Sequence, residues 1–260
     1  MTDLVASQDF TNLGAAVSGT VTNGTPSTPP VTQSVVTTDP APISIHYDAP
    51  SNSYTITADG RTQTYGPAQA GPGTKDLDFY QQGPNDAFTL YKTAASTSLA
   101  LTYTRYGGWS AAGATGNQLD FHDVYFVFGI PTAPADMPRT GTANYAGRAL
   151  ATWASPQTFI SQKGIVLFTA DFGASTINVH IELGSSSDFK AGPADFGILN
   201  GTGTIDSASA SFAGTVSGNG YSGPLKGLFF GPKAVEMGGT FAARNSSGFS
   251  VTGVIAGRQN

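Results

Sequence analysis

The sequence predicts an all-β protein, with a β-rich N-terminal domain followed by an antiparallel eight-stranded β-barrel. Three observations carry that prediction. Apolar and polar residues alternate at period two through most of the chain after residue 42, as in Ile43, Ile45 and Tyr47. Glycine-rich pairs mark the reversals between these runs, as at Asp59-Gly60 and Gly218-Asn219-Gly220. Helical periodicity is confined to a possible single turn near Asp188–Pro193.

The elements follow in order. Residues 1–42 are low in complexity, with Asn23-Gly24-Thr25-Pro26, Pro29-Pro30 and Pro40-Ala41-Pro42 set among threonines and valines. Such a segment buries too little apolar area to offset its ordering entropy, so it reads as a flexible, Thr/Pro-rich tether. An ordered arm packed across the domain is the alternative. Residues 43–135 form the first folded domain. Ile43–Tyr47, Tyr54–Ile56 and Gln63–Tyr65 alternate around Asp59-Gly60, a hairpin signal. Further strands fit Phe88–Thr93, Leu99–Tyr106 and Val124–Ile130. The Gly- and Ala-rich segments Gly66–Gly73 and Gly107–Gly116 read as loops. The proline-rich stretch Pro131–Pro138 is a hinge and sets the boundary.

Residues 136–260 read as a meander. Its strand candidates are Thr142–Ala151, Ile165–Asp171, Thr176–Leu183, Phe196–Ile205, Ser209–Val216, Pro224–Phe230, Val235–Ala243 and Phe249–Gly257. Closing them into a barrel removes the sheet edges. Side chains nearly fill the interior of so small a barrel, which moves a ligand site to loops or to the first domain. Gly231-Pro232 reverses the chain, and Gly238-Gly239 lets a strand bend or bulge at a corner. Glu236, beside that turn, is expected to cap backbone amides.

Composition narrows the function. The chain has 260 residues, no cysteine and a net charge of −5. That excludes disulfides and thiol chemistry, and it leaves no basic stripe for nucleic acid. No apolar run approaches the roughly 18 residues of a membrane helix, so no transmembrane segment is expected. Met1–Phe10 lacks the basic start and apolar core of a signal peptide, so the protein is cytosolic or its targeting segment has been trimmed. The excess of Thr, Ser, Gly and Asn resembles an exported bacterial β protein.

Residues 140–258 resemble the barrel of the transferrin-binding protein B family. The resemblance rests on Gly141-Thr142-Ala143-Asn144-Tyr145-Ala146-Gly147, Ala170-Asp171-Phe172-Gly173, Phe212-Ala213-Gly214 and the run Gly227-Leu228-Phe229-Phe230-Gly231-Pro232-Lys233-Ala234-Val235-Glu236-Met237-Gly238-Gly239-Thr240-Phe241. Tyr106-Gly107-Gly108-Trp109 and Tyr125–Gly129 look like the end of the partner domain that precedes such barrels, the handle. The resemblance implies a non-enzymatic binding protein of Gram-negative bacteria, either lipid-anchored at the outer membrane or secreted, serving iron or haem acquisition. It implies haem or an iron-carrying protein as partner, haem as the one cofactor to consider, and a TonB-dependent outer-membrane receptor as a further partner. The large transferrin binders of the family have two handle–barrel lobes. This chain has one, like the single-lobe members that bind varied ligands, haem among them.

The residues themselves give little support to catalysis. No Gly-x-Ser-x-Gly, His-Glu-x-x-His or phosphate-cradling loop occurs. Asp76, Asp78 and Asp86 lack the spacing of a calcium loop. Haem ligation is the sharpest hypothesis for a site. His122 lies among Phe121, Tyr125, Phe126 and Phe128, and His46 is flanked by Ile45 and Tyr47. Met137 sits in the hinge, and His180 alternates within a barrel strand. Tyr80, Tyr103, Tyr106 and Trp109 are the candidate anchors for a ligand docking on handle loops. The alternative function is an adhesive or host-protein-binding surface protein with no iron or haem role.

Overall fold

The structure, a computed structural model, describes residues 5–22, 31–92, 99–156, 158–184 and 195–260. The first finding corrects the tether. Gln8–Asp9 (β1), Thr11–Thr22 (β2) and Val31–Thr38 (β3) are strands of the first domain. β2 pairs over its whole length with a later strand, from Thr11↔Gly129 to Thr22↔Gln118. Its middle is made of small residues, and Ala15, Ala16 and Val17 are buried. Small side chains let a strand lie between two packed layers, where bulk composition suggests too little apolar area to fold. Residues 23–30 of the expected tether and the possible turn near Asp188–Pro193 lie outside the described residues.

Two antiparallel sheets build the handle. The first contains β1, Ile43–Asp48 (β4), Ser53–Ala58 (β5) and Arg61–Tyr65 (β6), in the order β1-β4-β5-β6. Asp59 and Gly60 both take positive φ between β5 and β6, as the hairpin signal requires. The second sheet adds Leu77–Gln81 (β7), Asp86–Tyr91 (β8), Thr104–Thr115 (β9) and Gln118–Gly129 (β10) in the order β3-β2-β10-β9-β8-β7. The segment Gly107–Gly116, expected to be a loop, is mostly β9. Gly107 serves close approach here, since a Cβ would overlap the carbonyl oxygen of Thr89 on β8. Between the sheets, Phe10, Ile45, Tyr47, Tyr54, Ile56, Phe88, Trp109, Phe126 and Phe128 form one core.

The barrel closes as expected. Thr142–Ser155 (β11), Thr158–Asp171 (β12), Thr176–Gly184 (β13), Gly197–Asp206 (β14), Ser211–Gly218 (β15), Tyr221–Phe230 (β16), Glu236–Arg244 (β17) and Ser250–Gln259 (β18) run up and down, and β18 pairs back onto β11. The interior is packed solid. Tyr145, Phe168, Phe172, Phe212 and Phe229 meet ring to ring at centroid separations of 4.9–6.2 Å. β11 and β12 run longer than the sequence suggested. Their extension brings Phe159 onto Phe121 of the handle, with ring centroids 3.4 Å apart.

The six-stranded handle sheet turns its other face to the barrel wall. Tyr91, Tyr106, Tyr125 and Val127 pack there against Leu150, Phe230, Val254 and Ala256. The Gly227–Phe241 run is the seam. Phe229 points into the barrel and Phe230 into the interface, and both are fully buried. Gly231 takes φ 71° and carries the ring of Tyr103 where a Cβ would stand. Gly238 leaves a hole in the barrel wall that Val127 of the handle fills. Glu236, only 4% exposed, accepts the backbone N–H of Thr102 at 2.5 Å and of Tyr103 at 2.9 Å. It therefore caps amides, as expected, and those amides belong to the other domain. Thr132 Oγ1 donates to the Gly231 carbonyl at 2.6 Å, so the hinge is pinned to the same turn.

Candidate ligand-binding surfaces

His46 and His122 are on different faces. Ile45 and Tyr47 point into the handle core, so His46 points outward from the four-stranded sheet. Its Nδ1 lies 2.8 Å from Asp9 Oδ1, with Thr55 opposite on β5. Among the described residues, Nε2 has no hydrogen-bond partner. His122 shares its face of β10 with Val124, Phe126 and Phe128 and sits beneath the β5–β6 turn. Its Nε2 lies 2.8 Å from Asp59 Oδ2, although the angle falls short of a hydrogen bond. Burial lowers its pKa below the ordinary 6.5, and Arg61 adds to that against the opposing pull of Asp59. Phe121 and Tyr125 point the other way, toward the barrel, and cannot wall a porphyrin at His122. Met137, expected in a hinge, is packed in the barrel core and is 3% exposed.

The four aromatic anchors are also displaced. Trp109 is fully buried, donates Nε1–H to Asp86 Oδ1 at 2.9 Å and lies under Arg61 at 4.6 Å. Tyr106 is buried against the barrel and stacks on Tyr91 at 5.0 Å. Tyr103 belongs to the seam, and Tyr80 packs on Phe88 at the edge of the handle core. Trp109 and Tyr106 therefore hold layers together and present nothing to a partner. The period-two pattern located these strands without saying which face each residue takes.

Sequence reasoning missed a polar network inside the seam. Asp123, 7% exposed, accepts from Thr152 Oγ1 at 2.6 Å, and Ser110 also hydrogen-bonds it. Burial raises its pKa above the ordinary 3.8. Thr152 Oγ1 also lies 2.7 Å from the Tyr125 hydroxyl, which Ser161 of β12 hydrogen-bonds in turn. A lone carboxylate within the apolar run 121–128 was the available signal.

Two of the concavities bear on ligand binding. One, of about 500 Å3, is an open hollow on the outer barrel wall beside Leu167, Asn178 and His180, whose Nδ1 lies 2.8 Å from Asn200 Oδ1. The other, of about 170 Å3, lies between handle and barrel beside Tyr91, Tyr125 and Lys163. Among the described residues, no group of three or more His, Asp or Glu is placed to share a metal ion. No helix among them is long and apolar enough to cross a membrane.

Comparison with known proteins agrees with this architecture. Residues 137–259 match the family described as the C-lobe and N-lobe beta barrels of Tf-binding protein B. No curated protein matches the sequence. Among solved structures, a mutant of Transferrin Binding Protein B from Haemophilus parasuis Hp5 is 17% identical over 89% of this chain and 48% of its own, with a TM-score of 0.54. Isotype 1 Transferrin binding protein B from serogroup B Neisseria meningitidis is 16% identical over 95% of this chain and 44% of its own, with a TM-score of 0.55. Intact Ap-TbpB, with N and C lobes, is 18% identical over 87% and 47%, with a TM-score of 0.53. The chain spans about half the length of these proteins. Residues 137–259 thus resemble the barrels of Tf-binding protein B, and the chain is transferrin-binding protein B-like in fold.

Proposed function

We propose that this chain is a non-enzymatic binding protein of iron or haem acquisition, carried at the surface of a Gram-negative cell or released from it. It engages an iron-carrying protein through its handle and passes the cargo to a TonB-dependent outer-membrane receptor. The observation that carries this reading is a Tf-binding protein B barrel fused by a buried seam to a handle, in a fold that relatives named for transferrin binding share. A protein partner is favoured over free haem because, among the described residues, neither His46 nor His122 lines a concavity. Direct haem binding keeps one specific support. His46 holds Nδ1 against Asp9 and leaves Nε2 free, the arrangement in which a carboxylate orients a ligating imidazole.

The test is biolayer interferometry of the immobilised chain against iron-loaded transferrin, iron-free transferrin and haemoglobin, beside an absorbance titration with hemin. Saturable binding of an iron-loaded protein at micromolar concentration or tighter is expected. A Soret shift lost in His46→Ala would move the reading to direct haem capture. No binding and no shift would overturn the proposal.

A further inference from the structure

Handle and barrel do not close against each other along their whole length. Between the β7–β9 side of the handle sheet and the β11–β12 hairpin remains a cleft of about 170 Å3. Its apolar lining includes Tyr91, Tyr125 and Leu150, each less than 10% exposed. The tyrosines are held in place. Tyr91 stacks on Tyr106, and the Tyr125 hydroxyl is tied to Thr152 at 2.7 Å. Gly108, opposite Tyr125 in the ladder, places no side chain over that ring, where a Cβ would sit 3.4 Å away. Ser110, Ser161 and Lys163 supply the polar lining. Lys163 has no ion-pair or hydrogen-bond partner among the described residues. The nearby Asp123 carboxyl is turned to Thr152 and Ser110 and driven toward its neutral form by burial.

We propose that this cleft is a binding site for a small aromatic carboxylate, its ring between the tyrosines and Leu150 and its carboxylate on the Lys163 ammonium. The site is separate from the docking of an iron-carrying protein and does not depend on it. Its volume is well below the roughly 300 Å3 at which drug-sized pockets begin, so one ring fills it. The unpaired cation selects an anion, while the Ser110 and Ser161 hydroxyls stay committed to Asp123 and Tyr125.

Saturation-transfer NMR on the full chain tests this, with benzoate, benzyl alcohol and benzylamine as probes. Benzoate is expected to bind at least fivefold more tightly than benzyl alcohol, and benzylamine not at all. Lys163→Met, which keeps the stem and removes the charge, should make benzoate and benzyl alcohol equal. Ser161→Trp, on an exposed position at the mouth, should abolish both. Benzoate binding no tighter than benzyl alcohol, a preference unchanged in Lys163→Met, or benzoate binding undiminished in a folded Ser161→Trp would each overturn the proposal. If Ser161→Trp does not fold, the Lys163→Met comparison decides alone.

Discussion

Gly238→Ala probes the seam with one methyl group. Gly238 lies outside the positive-φ glycines, so alanine carries no backbone penalty there. Its Cβ would overlap Val127 Cγ2 and sit 3.3 Å from both Val127 Cβ and Phe230 Cε2. Val127 and Phe230 are fully buried, so neither side chain can swing into solvent. Gly238 is itself laddered to Leu228 on β16 and Ala256 on β18, so the barrel wall cannot yield alone. Overpacking of this kind costs about 1–3 kcal/mol. Val127→Ala, removing two methyl groups from the handle side, costs about 1.6 kcal/mol in transfer alone and more with the cavity. If the two sites were independent, the double variant would lose the sum of both. Since the added methyl enters the space the valine leaves, the double variant should lose no more than Val127→Ala alone, a coupling of about 1–3 kcal/mol. Urea denaturation followed by tryptophan fluorescence measures it, because Trp109 reports the handle and Trp153 the barrel. Additivity within about 0.5 kcal/mol, or a neutral Gly238→Ala, would refute the docking of handle into barrel at this glycine.

Three further outcomes follow from the same geometry. Glu236→Ala strands the Thr102 and Tyr103 amides, at about 1–3 kcal/mol each, and should lower the urea midpoint more than any exposed Glu→Ala. Gly227→Ala places a methyl inside the ring of Phe212, and Phe212→Leu should rescue it in thermal melts. Asp123 has a folded pKa raised above its unfolded 3.8, so the folded state binds the extra proton and stability falls as pH rises from about 4 through the folded pKa. Asp123→Asn should lack that loss, and a stability difference between variant and parent that is flat from pH 4 to 8 would contradict the buried carboxylate.

The barrel was legible because its physics is local. Alternation set the strands, glycines set the reversals, and the closing run carried wording that belongs to a family. The handle was less legible for identifiable reasons. β2 is built from small residues whose burial comes entirely from the layers around it. Gly107 serves close strand packing and Gly108 lies against a tyrosine ring, and glycine used that way looks the same in sequence as glycine in a turn. The histidines fell on recognisable strands, but the neighbours that decide their chemistry, Asp9 and Asp59, come from segments read as a tether and a turn. Glu236 was expected to cap amides, yet nothing local to it says that they lie more than 130 residues upstream.

The Gly227–Phe241 run thus joins the domains as much as it closes the barrel, and the account's central claim is that handle and barrel unfold as one body. Differential scanning calorimetry of the intact chain tests this most directly. One transition, with calorimetric and van't Hoff enthalpies equal, is predicted. Two separated transitions, with the handle melting while the barrel stays folded, would contradict it.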